Sequence, residues 1–156
     1  MGNNKMFAKG LHLNPFKRMN TKELIVFTIL QLASFVVIYI LSRTIFLNIY
    51  VLRWTAHNYY LYIWMPVIIL SLCERTIISL FITIGNIIGN ILGQLIGDIM
   101  QYINMQKITD TMTEEQKYML MSHKGVYIWM LMIIIFMILG VIVNLINKRE
   151  RSKKMN

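Results

Sequence analysis

The sequence predicts an all-α integral membrane protein with four transmembrane helices. Three observations support this class: 56% of the 156 residues are hydrophobic, only 15% are charged, and the mean hydropathy is +0.55. A soluble domain of this length cannot bury so much apolar surface, and a disordered chain has the opposite composition. Eight glycines and one cysteine also exclude a collagen-like repeat and a disulfide scaffold.

Four apolar segments are the predicted spans, at approximately 23–46, 57–73, 76–103 and 126–147. A helix needs roughly 20 apolar residues to cross the hydrocarbon core of a bilayer, and the first and last segments meet that length. The second segment is the shortest and contains Pro66, which removes a backbone donor and is expected to kink the helix. If Pro66 instead marks a re-entrant hairpin, the chain has three full spans and its termini lie on opposite sides.

A polar connection joins the third and fourth segments, and a short helix is predicted within it at 114–121. Thr113 and Gln116 have the spacing of a capping box, in which each residue satisfies a backbone N–H of the other. Tyr118 and the methionines beside it favour a position along the bilayer surface. A bare loop with a frayed turn is the alternative.

The chain divides into a basic cytoplasmic N-terminal segment (1–22), a single membrane domain (23–147) and a basic cytoplasmic tail (148–156). With four spans and both termini inside, eleven of the sixteen Lys and Arg residues lie on the cytoplasmic side. These are Lys5, Lys9, Lys17, Arg18, Lys22, Arg75, Lys148, Arg149, Arg151, Lys153 and Lys154. This asymmetry predicts a protein of the cell membrane with cytoplasmic N- and C-termini, whose basic ends contact anionic lipid headgroups. Because the net charge of +9 is concentrated beside the spans, nucleic acid is not an expected partner.

Aromatic residues support the same orientation, because Trp and Tyr prefer the headgroup level. Ten of them map to the outer half of the predicted topology: Tyr50, Trp54, Tyr59, Tyr60, Tyr62, Trp64, Tyr102, Tyr118, Tyr127 and Trp129.

The most specific pattern lies in the third segment, where a glycine returns every four residues and a polar residue follows each one. The glycines, which we call the glycine ridge, are Gly85, Gly89, Gly93 and Gly97. The residues after them, which we call the polar ridge, are Asn86, Asn90, Gln94 and Asp98. A step of four residues advances only about 40° around a helix, so each set forms one slowly winding strip. Small residues at this spacing allow two helices to approach closely, and this helix is therefore expected to have a partner.

Three interpretations of the ridges remain open. The glycine ridge packs against another span of the same chain, with the amides as interhelical hydrogen bonds. Alternatively, the polar ridge lines a pathway between helices, because polar groups inside a membrane are costly unless they meet water, ions or each other. In the third interpretation, two copies of the ridge face each other in a homodimer.

Apart from Glu23 at the start of the first span, Asp98 is the one acidic residue inside a predicted span, which makes it a candidate proton or ion site. Its distance from Thr76, about 33 Å along an untilted helix, instead favours a solvated position at the outer interface. Asn90 and Gln94 lie deeper, and Gln31 of the first span is a candidate partner for them.

The sequence predicts no enzyme, cofactor or metal site. The outer side collects titratable side chains, but none has the spacing of a known catalytic or metal-binding motif. These residues are His57, Asp98, Asp110, Glu114, Glu115 and His123.

The leading functional hypothesis is a non-catalytic accessory, assembly or immunity-type protein that acts by helix–helix association with another membrane protein or with a second copy. The first alternative is a small transporter or channel subunit that uses the polar ridge. The second alternative is a membrane-embedded enzyme at the outer face.

Overall fold

The computed structural model describes residues 13–17, 19–58 and 61–153, and of residues 61 and 62 only the backbone. Within these ranges the chain is all-helical and contains no β-strand. The helices are α1 (Thr21–Thr44), α2 (Tyr50–His57), α3 (Leu61–Leu72), α4 (Thr76–Met105), α5 (Glu114–Met121) and α6 (Gly125–Lys153). Lys5, Lys9, Arg18 and Lys154 of the basic segments, and Tyr59 and Tyr60 of the aromatic set, lie outside the described residues.

Three helices are long and apolar enough to cross a membrane, namely α1, α4 and α6. They correspond to the predicted first, third and fourth spans, so the all-α membrane class is confirmed. The helix α6 continues to Lys153, beyond the predicted end at 147. Basic residues are favourable in its last turn because they interact with the negative end of the helix dipole.

The prediction of four spanning helices is not confirmed, because the segment predicted at 57–73 forms no continuous spanning helix. It contains the last residue of α2 and the 12-residue helix α3, which is about 18 Å long. Asn58 explains where α2 ends: its side-chain amide donates to the carbonyl of Trp54 at 2.9 Å and satisfies an acceptor of the last turn. The helix α3 continues through Pro66.

Side-chain caps define the start of two helices. At α1, the side chain of Asn20 accepts from the backbone of Glu23 at 2.9 Å, and the carboxylate of Glu23 accepts from the backbone of Asn20 at 2.9 Å. At α5, Thr113 and Gln116 form the reciprocal pair that the sequence predicts. The helix α5 begins and ends at the predicted residues, and none of its side chains is buried.

Hydrogen bonds place the two ends of the described chain at the same end of the helical bundle, which we call the termini end. The hydroxyl of Thr76, at the start of α4, donates to the carbonyl of Pro15 at 3.0 Å. The side chain of Asn147, near the end of α6, donates to the carbonyl of Phe16 at 3.1 Å. Thr28 of α1 and Ser71 of α3 share a hydrogen bond, so α3 brings the chain back toward the start of α1.

The opposite end, which we call the loop end, holds α2, the last turns of α4, α5 and the start of α6. The helix α4 is central. In its most apolar 18-residue stretch 61% of the residues are buried, against 22% in that of α1 and 17% in that of α6. The buried apolar core joins every helix except α5, and consists of Phe35, Val51, Ile63, Val67, Ile78, Ile82, Val126 and Trp129.

Candidate functional site: a polar seam along helix α4

The glycine ridge of α4 lies against α6 of the same chain. A Cβ atom added to Gly93 would lie 2.6 Å from the carbonyl oxygen of Gly125, and one added to Gly85 would lie 2.7 Å from the Cβ of Phe136. At Gly89 the added atom would meet Trp129, and at Gly97 it would meet the ring of His123. At Gly85 and Gly93, the two helices approach so closely that a methyl group would require one of them to shift.

The polar ridge lies beside the glycine ridge and extends further along α4 than the sequence analysis recognised. Steps of three and four residues back from Asn86 reach Thr83, Ser79 and Thr76, all on the same strip of the helix. We call the whole strip the polar seam: Thr76, Ser79, Thr83, Asn86, Asn90, Gln94 and Asp98. The first five of these residues are buried, and Asn86 is completely inaccessible.

The middle of the seam is a buried hydrogen-bond network between three helices. The indole Nε1 of Trp129 donates to Oδ1 of Asn86 at 3.0 Å. The amide of Asn90 donates to the carbonyl of Asn86 at 2.8 Å and lies 3.2 Å from the same Oδ1. On the other side, the hydroxyl of Thr55 in α2 lies 3.4 Å from Oδ1 of Asn90. The network therefore connects α6 to α2 through α4.

At the loop end, the seam becomes accessible. The side chain of Gln94 accepts from the backbone N–H of Val51 at 3.0 Å and donates to the carboxylate of Asp98 at 2.8 and 3.0 Å. The carboxylate also lies 3.1 Å from Nε2 of His123. The side chain of Asp98 is 56% exposed and that of His123 is 6% exposed, so the histidine is the inner member of the pair.

The backbone of Gly125 determines the tautomer of His123. Its N–H donates to Nδ1 of the ring at 3.1 Å, so Nδ1 must carry a lone pair. The proton of the neutral ring is then on Nε2, where it is donated to Asp98. The ring of Tyr50, whose centroid is 4.5 Å away, covers the imidazole.

At the termini end, α1 supplies the facing side chain. Nε2 of Gln31 donates to the hydroxyl of Ser79 at 3.2 Å, and the hydroxyls of Ser79 and Thr83 each donate to a backbone carbonyl of α4 at 3.0 Å. Gln31 thus meets Ser79, and its expected contact with Asn90 or Gln94 is not formed in this network.

Two side-chain atoms at the seam are buried without a hydrogen-bond partner among the described residues: Oε1 of Gln31 and Nδ2 of Asn86. A third such atom is Nε1 of Trp64 in α3. An unpaired polar atom in a low-dielectric interior costs about 1 to 3 kcal/mol of folding free energy. A molecule that formed hydrogen bonds with these atoms would recover this cost.

Of the six titratable residues predicted on the outer side, the structure joins Asp98 and His123 directly. The described residues include no group of three or more His, Cys, Asp or Glu side chains that could hold a metal ion.

Comparison of the chain with known protein families, curated proteins and solved structures finds no match.

Sequence analysis missed several residues that complete the seam, on α4 itself and on other helices. Thr55, Trp129 and Ser79 are each compatible with ordinary packing, and only Ser79 shares the strip of the polar ridge. Extending the ridge by steps of three as well as four would have identified Ser79, whereas the contribution of α2 and α6 depends on how the helices pack.

Proposed function

We propose that the protein is a small membrane transporter or channel subunit, and that an uncharged polar solute passes along the polar seam of α4. The observation that carries this proposal is the length of the seam inside a spanning helix. Thr76 and Asp98 are 22 positions apart, which is about 33 Å along the helix and matches the roughly 30 Å thickness of the hydrocarbon core. Polar side chains in a span are costly, and they commonly mark a pathway.

The side chains of the seam favour an uncharged solute over an ion. Its buried part contains hydroxyls and amides and no charged side chain. A dehydrated ion needs several carboxylate or carbonyl ligands, whereas hydroxyls and amides can exchange hydrogen bonds with a solute that has its own donors and acceptors. The unpaired atoms of Gln31 and Asn86 support the same assignment.

The close contact between α4 and α6 also bears on the choice of function. Since the glycine ridge is covered by α6 in the monomer, its spacing no longer favours a foreign partner at that surface. The pair α4–α6 would form one wall of the pathway, and α1, α2 and α3 would form the other. Solute entry then requires α2 to separate from Asn90 and Gln94.

In the proposed topology, α2 and α3 together complete the second crossing, both termini are cytoplasmic and the loop end faces outward. The distribution of Lys and Arg supports this orientation in the cell membrane.

An osmotic swelling assay tests the transport proposal. Purified protein is reconstituted into liposomes, and light scattering measures the entry of urea and glycerol after an osmotic shift. We expect faster swelling than in empty liposomes and a loss of most of this increment with Asn90→Leu, which removes both hydrogen-bonding groups from the middle of the seam. Asn104→Leu, near the end of α4, is the matched control and should retain it. Swelling no faster than in empty liposomes for either solute would reject the proposal.

A second candidate function, an accessory or assembly protein that binds another membrane protein or a second copy, is favoured by the exposed side of α3. Met65, Ile69 and Leu72 are each about 60% exposed and lie on one face of this helix. A helix shorter than the bilayer can be accommodated by oligomerisation, and an apolar partner helix would cover this face.

The second candidate is tested by extracting the protein in mild detergent, measuring the mass of the complex and identifying every co-purifying polypeptide. A stable complex should be lost with Ile69→Trp and retained with Ile138→Trp, which places the same bulk on the exposed side of α6. A monomer in the wild-type protein would contradict association.

A further inference from the structure

A cavity of about 480 Å³ lies at the termini end of the bundle. Its walls are the segment before α1, the turn between α3 and α4, and the last turns of α6. Four cationic side chains line it, against the single carboxylate of Glu74 among the described lining residues. The cations are Lys17, Arg75, Lys148 and Arg151.

Hydrogen bonds from two helices fix the segment that closes the cavity. Asn147 and Arg151 of α6 both donate to the carbonyl of Phe16, and Thr76 of α4 donates to the carbonyl of Pro15. Asn144, Lys148 and Arg151 follow at steps of four and three residues, so they share one face of α6. The cavity is thus bounded by anchored backbone on one side and by a row of donors on the other.

The first turn of α4 adds backbone donors to the same cavity. Arg75 occupies the N-cap position, and no side chain caps the helix there. The first N–H groups of a helix have no intrahelical acceptor, and the positive end of the helix dipole attracts an anion. Thr76 and Ile77, the first two residues of α4, line the cavity, so the start of the helix lies beside the cationic side chains.

We propose that this cavity binds the phosphate group of an anionic phospholipid headgroup. Basic pockets between transmembrane helices at the cytoplasmic side are suited to such headgroups, and the volume lies within the range of ligand sites. The position at the ends of three spanning helices is the headgroup level of the bilayer. The cavity shares Thr76 with the polar seam, but its four cationic side chains lie outside the seam, so a failed transport assay would leave the lipid site standing.

The protein carries its own reporter for this site, because its only cysteine, Cys73, lines the cavity. The experiment measures the alkylation rate of Cys73 by N-ethylmaleimide in nanodiscs of phosphatidylcholine, with increasing fractions of phosphatidylglycerol. We expect phosphatidylglycerol to slow alkylation in a saturable manner. We call the fraction of phosphatidylglycerol that halves the alkylation rate the half-protecting fraction. Arg75→Gln and Lys148→Gln should each raise it about fivefold, since one cation near the membrane surface contributes roughly that factor to the affinity for anionic lipid.

Lys153→Gln is the matched control, because it removes one charge from the last turn of α6 without changing the cavity lining. Its half-protecting fraction should equal that of the wild-type protein. Equal alkylation rates with and without phosphatidylglycerol, or equal losses of protection in all three variants, would overturn the site.

Protection by glycerol 1-phosphate in phosphatidylcholine discs, without protection by phosphatidylglycerol, would assign the cavity to a soluble phosphate and overturn the lipid assignment. Thermal unfolding of each variant identifies those that fold, and the two cavity variants provide independent tests.

Discussion

The indole N–H of Trp129 determines the orientation of the Asn86 amide. Because the indole is only a donor, the amide must present its oxygen, and Nδ2 is directed away and remains buried without a partner among the described residues. One hydrogen bond of 3.0 Å between α6 and α4 thus creates an unpaired donor in the middle of the polar seam. In the transport proposal, that donor is a binding group for the solute.

The contribution of this hydrogen bond can be measured with Trp129→Phe. We expect loss of the hydrogen bond to lower the free energy of unfolding by about 0.6 kcal/mol, the mean for interhelical hydrogen bonds in membranes, and by no more than about 1.7 kcal/mol. The measurement is unfolding in mixed detergent micelles, within a double-mutant cycle that includes Asn86→Leu. The cycle separates the hydrogen bond from the loss of indole packing, and a coupling energy of zero would show that the bond does not stabilise the fold.

The glycine ridge gives a prediction about packing. Gly93→Ala places a methyl group against the carbonyl of Gly125, which is backbone and cannot rotate away, so we expect a loss of about 1 to 3 kcal/mol in unfolding free energy. The methyl group of Gly89→Ala would lie 3.1 Å from its nearest neighbours, so this variant should cost less. Unfolding in mixed micelles compares the two variants. A Gly93→Ala variant as stable as the wild type, or a larger loss of stability in the other variant, would contradict close packing at Gly93.

The pair Asp98–His123 gives a prediction about the loop end of the seam. Asp98 accepts from both Gln94 and His123. Both donors contact Oδ1 of the carboxylate, and Gln94 also contacts Oδ2. Asp98→Asn removes the negative charge and places an NH2 group where Oδ2 was, so the second contact of Gln94 is lost. We expect solute flux in liposomes to fall several-fold while the protein remains folded, because Asp98 is largely exposed.

Asp110→Asn removes the same charge from the α4–α5 loop and serves as the control for Asp98→Asn. Flux that is unchanged in Asp98→Asn would remove this residue from the mechanism.

The orientation of the bundle can be tested with a membrane-impermeant maleimide in intact cells. The native Cys73 is at the termini end and should be protected, and a cysteine introduced as Glu115→Cys in the Cys73→Ser background should be labelled. Glu115 is exposed in α5 at the loop end. Permeabilised cells provide the control for reactivity. Labelling of Cys73 in intact cells would contradict a cytoplasmic termini end.

The predicted bounds of the apolar spans were accurate where hydrophobicity is continuous. The structure places α4 at Thr76–Met105, against 76–103 from sequence. The 57–73 segment differs because α2 ends at its beginning, where the side chain of Asn58 donates to the carbonyl of Trp54, a local hydrogen bond that hydropathy does not register. The helix α2 was missed for a related reason: it is short, and Tyr50, Trp54 and His57 resemble residues of an interfacial loop.

The candidate site was only partly accessible to sequence reasoning. The four-residue repeat identified which residues of α4 are adjacent, because helical geometry alone places them on neighbouring strips. It could not show that Ser79 meets Gln31, or that Val51 and Thr55 face Gln94 and Asn90.

The sequence by itself determined the membrane class, the three long apolar helices and the existence of two strips on α4, since these follow from composition and helical periodicity. Only the tertiary structure decided which neighbour each strip has. Helix packing is a relation between residues far apart in the chain, and the spacing within α4 contains no information about α6, α2 or α1. The close approach of Gly93 to Gly125 and the pairing of Asp98 with His123 therefore became visible only once the helices were assembled.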